Sequence, residues 1–431
     1  MTETDILSPE VCRRLEQVGQ ADVLVGIPSY NNARTIGHVV QAVNAGLAKY
    51  FPTFRCVIVN SDGGSKDGTV EVVAKAQVDT DKLLLVSHPL HPIHRILTPY
   101  HGIPGKGSAF RAIFAVAGRL EVKACAVVDA DLRSISPEWI ELLVRPVLQE
   151  GFDYVAPYYR RHPYDGTITN SVVYPLTRAL YGQRIRQPIG GDFGFSGQLA
   201  SYYLSCDVWN TNVARYGIDI WMTTTALVRN VKVCQVFLGA KLHDPKDPGA
   251  DLATMLMQVV GSVFRLMEEH ASVWRRVSGS VAVPLLGFPF AVATEPISVN
   301  VEGMLVAFRQ GCRDLHEIYE QVFFSDVLEM LSPLAQAGKK FRIPDEVWAR
   351  TIYDFALAYH QRVIDRDHLL RALTPLYLGW VASFILQTQG SELAQAEERI
   401  EQLCRVFEEQ KSYLVERWER PKKELKTQSK T

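Results

Sequence analysis

The sequence predicts an α/β fold with a mostly parallel sheet, followed by a long helical region. Short apolar runs alternate with helix-type segments through the first half of the chain, as strands and crossover helices do in parallel sheets. Glycines and polar residues follow these runs directly, at the strand ends where such folds bind ligands. Beyond about residue 252 the sequence has helical periodicity almost throughout.

Length and composition fit a protein of two structural parts. The chain has 431 residues, 47% of them hydrophobic, with 46 basic and 47 acidic side chains. We expect an α/β domain over residues 1–251, a helical region over 252–418 and a charged, disordered tail over 419–431. The balanced charge gives no reason to expect a nucleic-acid partner.

Cysteine usage and hydropathy predict a cytoplasmic protein. The seven cysteines are scattered and form no Cys-x-x-Cys pair, which is typical of reduced thiols. The acidic start lacks the pattern of a signal peptide. The two most apolar stretches, 281–294 and 376–386, are shorter than the roughly 20 residues that a membrane-spanning helix needs. We therefore expect no membrane segment.

The predicted elements alternate in chain order. The stretches 22–32, 55–69 and 124–132 each begin as a strand and end in a polar turn, and 82–88 is a further strand. Among the helices and strands that the pattern predicts are helices over about 33–50, 109–120 and 216–224, a strand over 231–238, and C-terminal helices over 255–269, 301–323, 347–363 and 392–417.

Asp129 and Asp131 follow the apolar strand that begins at Ala124, with only Ala130 between them. In an extended segment, residues two apart point the same way, so both carboxylates can hold one cation. Mg²⁺ and Mn²⁺ combine carboxylate ligands with water and substrate phosphates. The pattern therefore indicates a diphosphate site, although two solvated loop carboxylates would give the same sequence.

Other polar residues at predicted strand ends have two interpretations each. Asp62 could accept hydrogen bonds from a nucleobase or ribose, or cap its own turn. Lys106 offers a cation and nearby amides at a helix start, which suits a phosphate, although the spacing is not that of a Walker loop. His243 is either a third metal ligand or a structural histidine.

Two further carboxylates and a basic run complete the set. Asp192 follows a Gly-Gly turn, and Asp219 follows Gly217 by two residues, so either could orient sugar hydroxyls. The Arg-Arg-His run at 160–162 is either solvated surface charge or a clamp for a carboxylate or phosphate.

Taken in order, these motifs resemble the retaining nucleotide-sugar glycosyltransferases that make mannosylglycerate, glucosylglycerate and glucosyl-3-phosphoglycerate. The resemblance covers about residues 22–251. The matching segments are Ile-Pro-Ser-Tyr-Asn at 27–31, Ser-Asp-Gly-Gly-Ser at 61–65, Pro-Gly-Lys-Gly at 104–107, Asp-Ala-Asp at 129–131, Gln-Pro-Ile-Gly-Gly at 187–191, Tyr-Gly-Ile-Asp at 216–219 and Lys-Leu-His at 241–243. It implies a GT-A fold, with the helical region as an appendage, and transfer of a hexose with retention of configuration.

The resemblance also implies residue roles. A divalent metal, Mg²⁺ or Mn²⁺, would be held by Asp129, Asp131 and His243. The catalytic residues would be Asp131, Asp192 and Asp219. The nucleotide sugar would contact Pro28, Tyr30, Asn32, Asp62, Lys106, Asp129, Ala130, Gln187 and Gly191. The family usually has Glu at the positions of Asn32 and Asp192, so the donor stays open between GDP-mannose, UDP-glucose and ADP-glucose.

The acceptor is implied by a second pattern. Glycerate-type relatives show an Arg, an Asp four residues on and a Thr four beyond that, which Arg161, Asp165 and Thr169 match. Phosphoglycerate-type relatives carry Arg where this chain has Thr167. The resemblance therefore implies D-glycerate as acceptor and a glycosylglycerate, a compatible-solute type of product, with 3-phosphoglycerate as the alternative.

Two other functions are alternatives to this one. A nucleotidyltransferase would need a glycine-rich basic loop after the first strand, and residues 28–32 are not such a loop. A non-catalytic nucleotide-sugar-binding protein would show the same motifs without activity. We further expect a homodimer, because Tyr377, Trp380 and Phe384 fall on one apolar helix.

Overall fold

The structure is a computed structural model that describes residues 6–76, 94–99, 105–243, 252–290, 295, 297–324, 326–336 and 341–420. The chain divides into two compact units. The sheet unit comprises Met1–Arg161, Ile185–Lys246 and Val283–Thr294, and the helical unit comprises His162–Arg184, Asp247–Ala282 and Glu295–Thr431. A boundary near residue 251 was predicted, but the two units interleave along the chain. The predicted tail from 421 onward lies outside the described residues.

The sheet unit contains one eight-stranded sheet. Its strands are β1 (Val23–Ser29), β2 (Cys56–Asp62), β3 (His94–Pro99), β4 (Ala124–Val127), β5 (Tyr154–Arg160), β7 (Phe193–Ser196), β8 (Val233–Ala240) and β10 (Leu285–Leu286). The strands lie in the order β10-β8-β5-β7-β4-β1-β2-β3. β6 (Gln183–Arg184) and β9 (Val281–Ala282) form a separate small sheet in the helical unit.

The predicted mostly parallel sheet is confirmed. β7 is antiparallel to both of its neighbours, β4 and β5, and all other pairings are parallel. The strand predicted over 82–88 lies outside the described residues, and the position beside β2 is taken by β3. β3 is polar in sequence, which is why periodicity did not predict it.

Helices cover both faces of this sheet. They are α1 (Pro9–Val18), α2 (Ile36–Tyr50), α3 (Thr69–Lys75), α4 (Lys106–Arg119), α5 (Pro137–Gln149), α7 (Gly197–Ser205) and α8 (Ile218–Val228). Val23, Val25 and Ile27 of β1 belong to one core with α2 and α5. Gly26 faces the other way, where a Cβ atom would collide with Ile113 of α4. Strands buried on both faces account for their near-continuous apolar sequence.

The helical unit contains a π-helix (Thr169–Val173) followed by α6 (Tyr174–Tyr181), and then α9 (Leu252–Glu269), α10 (Ala271–Trp274), α11 (Val301–Asp314), α12 (His316–Val322), α13 (Val327–Leu334), α14 (Asp345–His360), α15 (Arg366–Thr388), α16 (Leu393–Glu409) and α17 (Lys411–Arg417). The single helices predicted over 301–323 and 392–417 are each two helices, interrupted at Leu315 and Gln410. Hydrophobic periodicity continues across such interruptions and does not reveal them.

Helix α15 is the most apolar long helix among the described residues. By length and composition it could cross a membrane, but 72% of its apolar window is buried inside the structure, as in the core helix of a folded protein. Tyr377, Trp380 and Phe384 are 0%, 2% and 1% exposed. The argument for a homodimer is therefore wrong, because these side chains are covered within the chain itself.

Candidate functional site

Two glycines fix the start of α4, where Lys106 lies. A Cβ atom on Gly105 or Gly107 would collide with the backbone of residues 213–215. The N–H of Gly107 donates to the carbonyl oxygen of Arg215 at 3.1 Å. The glycines therefore serve close packing, and the expectation of amides available to a phosphate is wrong for Gly107.

Lys106 forms ion pairs with two carboxylates from distant parts of the chain. Its Nζ lies 2.8 Å from Asp129 Oδ1 and 3.2 Å from Asp219 Oδ1. Burial disfavours the charged ammonium group, but Asp129 and Asp219 outweigh that effect and raise the pKa of Lys106. Its side chain is 17% exposed. Lys106 is thus a fixed positive charge at a partly open position.

Lys241 is a second buried cation at the same carboxylate. Its Nζ lies 2.8 Å from Asp129 Oδ2 and 2.8 Å from Asp192 Oδ2, and it donates to the carbonyl oxygen of Gly190 at 2.7 Å. Burial disfavours its charge, yet Asp129 and Asp192 raise the pKa of Lys241 overall. Both oxygens of Asp129 therefore face an ammonium group.

Asp192 lies completely inside the protein, with 0% exposure. It accepts hydrogen bonds from the Tyr159 hydroxyl and from the backbone N–H of Asp129, the latter at 2.8 Å. Burial raises the pKa of Asp192, and Lys241 opposes that shift. In this geometry Asp192 positions Asp129 and Lys241, and its predicted catalytic role stays a prediction.

Gly191 allows this close arrangement. Its φ is +90°, and a Cβ atom there would collide with Asp129 Oδ2. Only glycine adopts such a conformation at low cost. The structure thus places Gly191 against the Asp129 carboxylate.

Gln187 serves the strand beside it. Its Oε1 accepts from the N–H of Tyr159 at 2.9 Å, and its Nε2 donates to the carbonyl oxygen of Tyr159 at 3.2 Å. The side chain is buried and takes the place of a neighbouring strand. Gln187 therefore has a structural role in this fold, and its predicted contact with a nucleotide sugar stays a prediction.

Asp62 is also engaged within the protein. One of its oxygens accepts from the hydroxyls of Ser29 and Ser65, and the other accepts from the N–H groups of Gly64 and Ser65, all at 2.6–2.9 Å. A carboxylate offers about four acceptor sites. All are used by the turn, so of the two interpretations the structure favours turn capping over contact with a base or ribose.

The loop after β1 is tied to the turn after β2. Asn31, with φ +54°, donates its N–H to Ser65 Oγ, and Asn32 donates its N–H to Thr69 Oγ1, both at 2.8 Å. Asn32 Oδ1 accepts from the N–H of Tyr30, whose ring is 60% exposed. β1 continues through Pro28 and ends at Ser29. The hydrogen bonds of Asn31 and Asn32 hold the loop in place, and the loop presents the exposed ring of Tyr30.

Asp219 retains accepting capacity. It is 8% exposed, and its Oδ1 accepts no hydrogen bond from the described residues, although Lys106 lies 3.2 Å away. Burial raises the pKa of Asp219, against the effect of Lys106. Lys106 donates its hydrogen bond to the other oxygen, Oδ2, at 3.2 Å. Oδ1 can therefore still accept from a ligand hydroxyl or stabilise a developing positive charge.

The structure brings the chain segments of the predicted metal ligands together at the backbone. His243 forms a backbone bridge with Leu132, the residue after Asp131. The carbonyl oxygen of Ala130 accepts a hydrogen bond from the Thr35 hydroxyl at 2.7 Å. Within the described parts of the chain, no group of three or more His, Cys, Asp or Glu side chains is close enough to hold a metal ion. The three-ligand site of Asp129, Asp131 and His243 stays a prediction.

The predicted acceptor residues fall in different units. Arg161 is the last residue of a sheet-unit segment, and its guanidinium carbon lies 5.0 Å from the centre of the Tyr159 ring. Asp165 and Thr169 belong to the helical unit, and Thr169 is buried at the start of the π-helix. Their joint role stays a prediction.

Sequence reasoning assigned no role to Lys241 or Tyr159. Lys241 precedes His243 by two residues at a strand end, the same spacing as Asp129 and Asp131, and this could have marked it. Nothing in the sequence marks Tyr159, because its importance comes from its contact with Asp192.

Part of the chain matches a known protein family. Residues 24–199, less than half of the chain, match the family model described as Glycosyl transferase family 2. No curated protein sequence matches the chain. Glucosyl-3-phosphoglycerate synthase from Mycobacterium tuberculosis, in complex with Mn²⁺, UDP and phosphoglyceric acid, is 21% identical, with a TM-score of 0.43 over 59% of this chain and 81% of that one.

Two further solved structures give similar values. The same synthase in complex with Mg²⁺ and UDP is 21% identical, with a TM-score of 0.43 over 59% of this chain and 82% of that one. A protein described only as mycobacterial is 25% identical, with a TM-score of 0.41 over 59% of this chain and 77% of that one. The match of residues 24–199 to this family model, on a mostly parallel sheet of the GT-A type, indicates that the chain is a glycosyltransferase.

Proposed function

We propose that this glycosyltransferase transfers a hexose, mannose or glucose, from a nucleotide diphosphate sugar to D-glycerate with retention of configuration. The product is mannosylglycerate or glucosylglycerate. The observation that carries the proposal is the cluster in which Lys106 lies between Asp129 and the partly unsatisfied carboxylate of Asp219.

A fixed positive charge is what a diphosphate leaving group needs. Negative charge grows on the diphosphate as the sugar bond breaks, and preorganised charges stabilise it without rearrangement. Lys106 is held by two carboxylates and stays protonated, because those neighbours raise its pKa. Its partial exposure lets it meet a ligand, whereas Lys241 is 5% exposed and serves mainly to hold Asp129.

The donor atoms near residue 131 suit Mg²⁺ or Mn²⁺. The Asp131 carboxylate and the His243 imidazole would hold the ion, since carboxylates suit these metals and imidazole suits transition ions such as Mn²⁺. Asp129 could join them only by giving up a lysine. When bound, the ion supplies further positive charge to the diphosphate.

Asp219 is suited to the sugar side of the reaction. Its buried oxygen can bind a sugar hydroxyl or stabilise positive charge that develops on the ring. In retaining transfer without a covalent intermediate, the acceptor attacks from the leaving-group face and the departing phosphate takes the proton. A dedicated protein base is then unnecessary, and Asp219 acts by electrostatics.

The acceptor assignment rests on the sequence pattern of Arg161, Asp165 and Thr169. Arg161 would pair with the glycerate carboxylate, and Asp165 and Thr169 would take its hydroxyls. The Thr167 side chain pairs with the Tyr377 hydroxyl at 2.6 Å. This supports glycerate, because the position that carries Arg in phosphoglycerate-type relatives here holds a short side chain turned towards α15.

A donor and acceptor screen tests the proposal. GDP-mannose, UDP-glucose and ADP-glucose are each offered with D-glycerate or 3-phosphoglycerate, in the presence of Mg²⁺ or Mn²⁺. We expect one donor to be used, with a higher kcat/KM for D-glycerate. A higher kcat/KM for 3-phosphoglycerate would instead establish the alternative acceptor, and no transfer with any pair would refute the proposed function.

A further inference from the structure

Residues 162–168, here named the acceptor loop, have an internal frame. The Asn170 side chain donates to the carbonyl oxygens of Pro163 and Asp165, each at 3.3 Å. The N–H of Asp165 donates to the carbonyl oxygen of His162 at 2.9 Å. The loop is therefore closed by its own hydrogen bonds, with Asp165 inside the ring that they form.

Helix α15 holds this loop at two side chains. The hydroxyls of Thr167 and Tyr377 lie 2.6 Å apart. The rings of Tyr164 and Phe384 meet edge to face, with centres 6.3 Å apart. All four residues belong to the helical unit. The helical region, which the sequence presented as an appendage without chemistry, thus contacts the segment that the sequence pattern assigns to the acceptor.

The residues that follow the loop are fixed from a second helix. The Trp348 indole of α14 donates to the carbonyl oxygen of Ser171 at 2.8 Å, within the π-helix that begins at Thr169. The Ser171 hydroxyl donates to the carbonyl oxygen of Thr167 at 2.6 Å. π-helical turns are frequent at functional sites. Asp165 and Thr169 lie two residues before and two residues after Thr167, whose side chain pairs with Tyr377.

We propose that Tyr377 is a positioning residue for the acceptor, which sets acceptor affinity by holding Thr167 and, through it, the conformation of Asp165 and Thr169. This inference rests on the proposed acceptor role of those two residues. Tyr377 is 0% exposed, so its hydroxyl acts on the acceptor only through Thr167. Without the Tyr377 hydroxyl, the half-buried Thr167 side chain loses its partner on α15, and the loop samples other conformations.

The test is Tyr377→Phe, which keeps the ring and removes the hydroxyl. We expect the KM for the acceptor to rise about fivefold, the usual effect of one such hydrogen bond. The KM for the donor and the kcat should stay unchanged. Peptides spanning 162–170 should exchange amide hydrogens faster in the free enzyme. This second readout does not depend on which acceptor is used.

Tyr319→Phe is the matched control. The Tyr319 hydroxyl is equally buried and donates to the same helix, α15, at the carbonyl oxygen of Ala372 (2.9 Å), and not to a residue of the acceptor loop. Its removal should lower stability without changing acceptor KM or loop exchange. Thr167→Val covers the case in which Tyr377→Phe does not fold. Thr167→Val should raise the acceptor KM by a similar factor, and the double variant that combines it with Tyr377→Phe should raise the acceptor KM no further.

Unchanged loop exchange in folded Tyr377→Phe would overturn the inference, as would an acceptor KM that changes equally in Tyr319→Phe. Failure of the proposed function gives a different result, because the wild-type enzyme then transfers sugar to no glycerate-type acceptor. In that case the role of Tyr377 is decided by loop exchange and by the KM for whichever acceptor the enzyme uses.

Discussion

Replacing Lys241 by methionine tests the charge arrangement of the site most directly. Lys241 gives three contacts of 2.7–2.8 Å to Asp129, Asp192 and Gly190, and its side chain is 5% exposed. Methionine keeps similar bulk and removes the charge. Asp192, with 0% exposure, then loses its only ion pair among the described residues.

The expected cost follows from this burial. Removing one partner of a buried ion pair costs about 3–5 kcal/mol, because the remaining charge stays desolvated. We therefore expect Lys241→Met to lower the free energy of unfolding at neutral pH by about that amount. Adding Asp192→Asn should restore a large part of it, because the double variant leaves no unpaired charge at position 192.

Urea unfolding followed by tryptophan fluorescence measures the effect. The Trp139 ring lies 5.5 Å from the Tyr159 ring, which contacts Asp192, so one of the seven tryptophans reports on this region and the others report on the rest of the fold. Lys49→Met is the control, since Lys49 pairs with Glu138 at the surface, with side chains 57% and 50% exposed, and should change stability little. If Lys241→Met is as stable as Lys49→Met, or if the double variant is no more stable than Lys241→Met, the reasoning is refuted.

Three further predictions follow. Asp131→Asn should lower kcat by about 10²-fold or more without unfolding the protein, as circular dichroism and steady-state rates will show; full wild-type activity in excess chelator would contradict it. His243→Ala should raise the metal concentration that gives half-maximal activity, and an unchanged metal titration would leave His243 a structural residue. Burial lowers the pKa of Lys411 to about 8, so between pH 8 and 10 the unfolded chain binds more protons and stability rises with pH. Lys411→Met should remove that rise, on the order of 2–3 kcal/mol in urea unfolding across that range, and an unchanged rise would refute the assignment.

The sequence predicted the elements whose stability comes from their own pattern. β1, β2 and β4 are buried on both faces, so their apolar runs were visible without a structure. Helix α2 and most C-terminal helices were predicted from periodicity. β3 was missed because it has no such pattern, and the interruptions at Leu315 and Gln410 were missed because the hydrophobic pattern continues through them.

The site shows the same division. The residues around Asp129 were identified because glycines and carboxylates follow strands directly in the sequence. Their roles were not identified, because a carboxylate at a strand end can face a ligand, a turn or a lysine. Asp62 faces its own turn, and Asp192 faces Lys241 and Tyr159. The choice at Asp192 depends on contacts with residues more than 30 positions away, whereas the choice at Asp62 depends mainly on its own turn.

The sequence by itself determined the α/β class and the location of the carboxylates at strand ends, because these follow from local residue types and their spacing. Nucleotide-sugar transfer was implied by the resemblance that the ordered motifs carry. Only the tertiary structure decided which charges are neutralised within the protein. Lys106 and Lys241 meet at Asp129 from segments more than 100 residues apart. The neighbouring carboxylates keep both buried lysines charged, and no local sequence pattern predicts such long-range contacts.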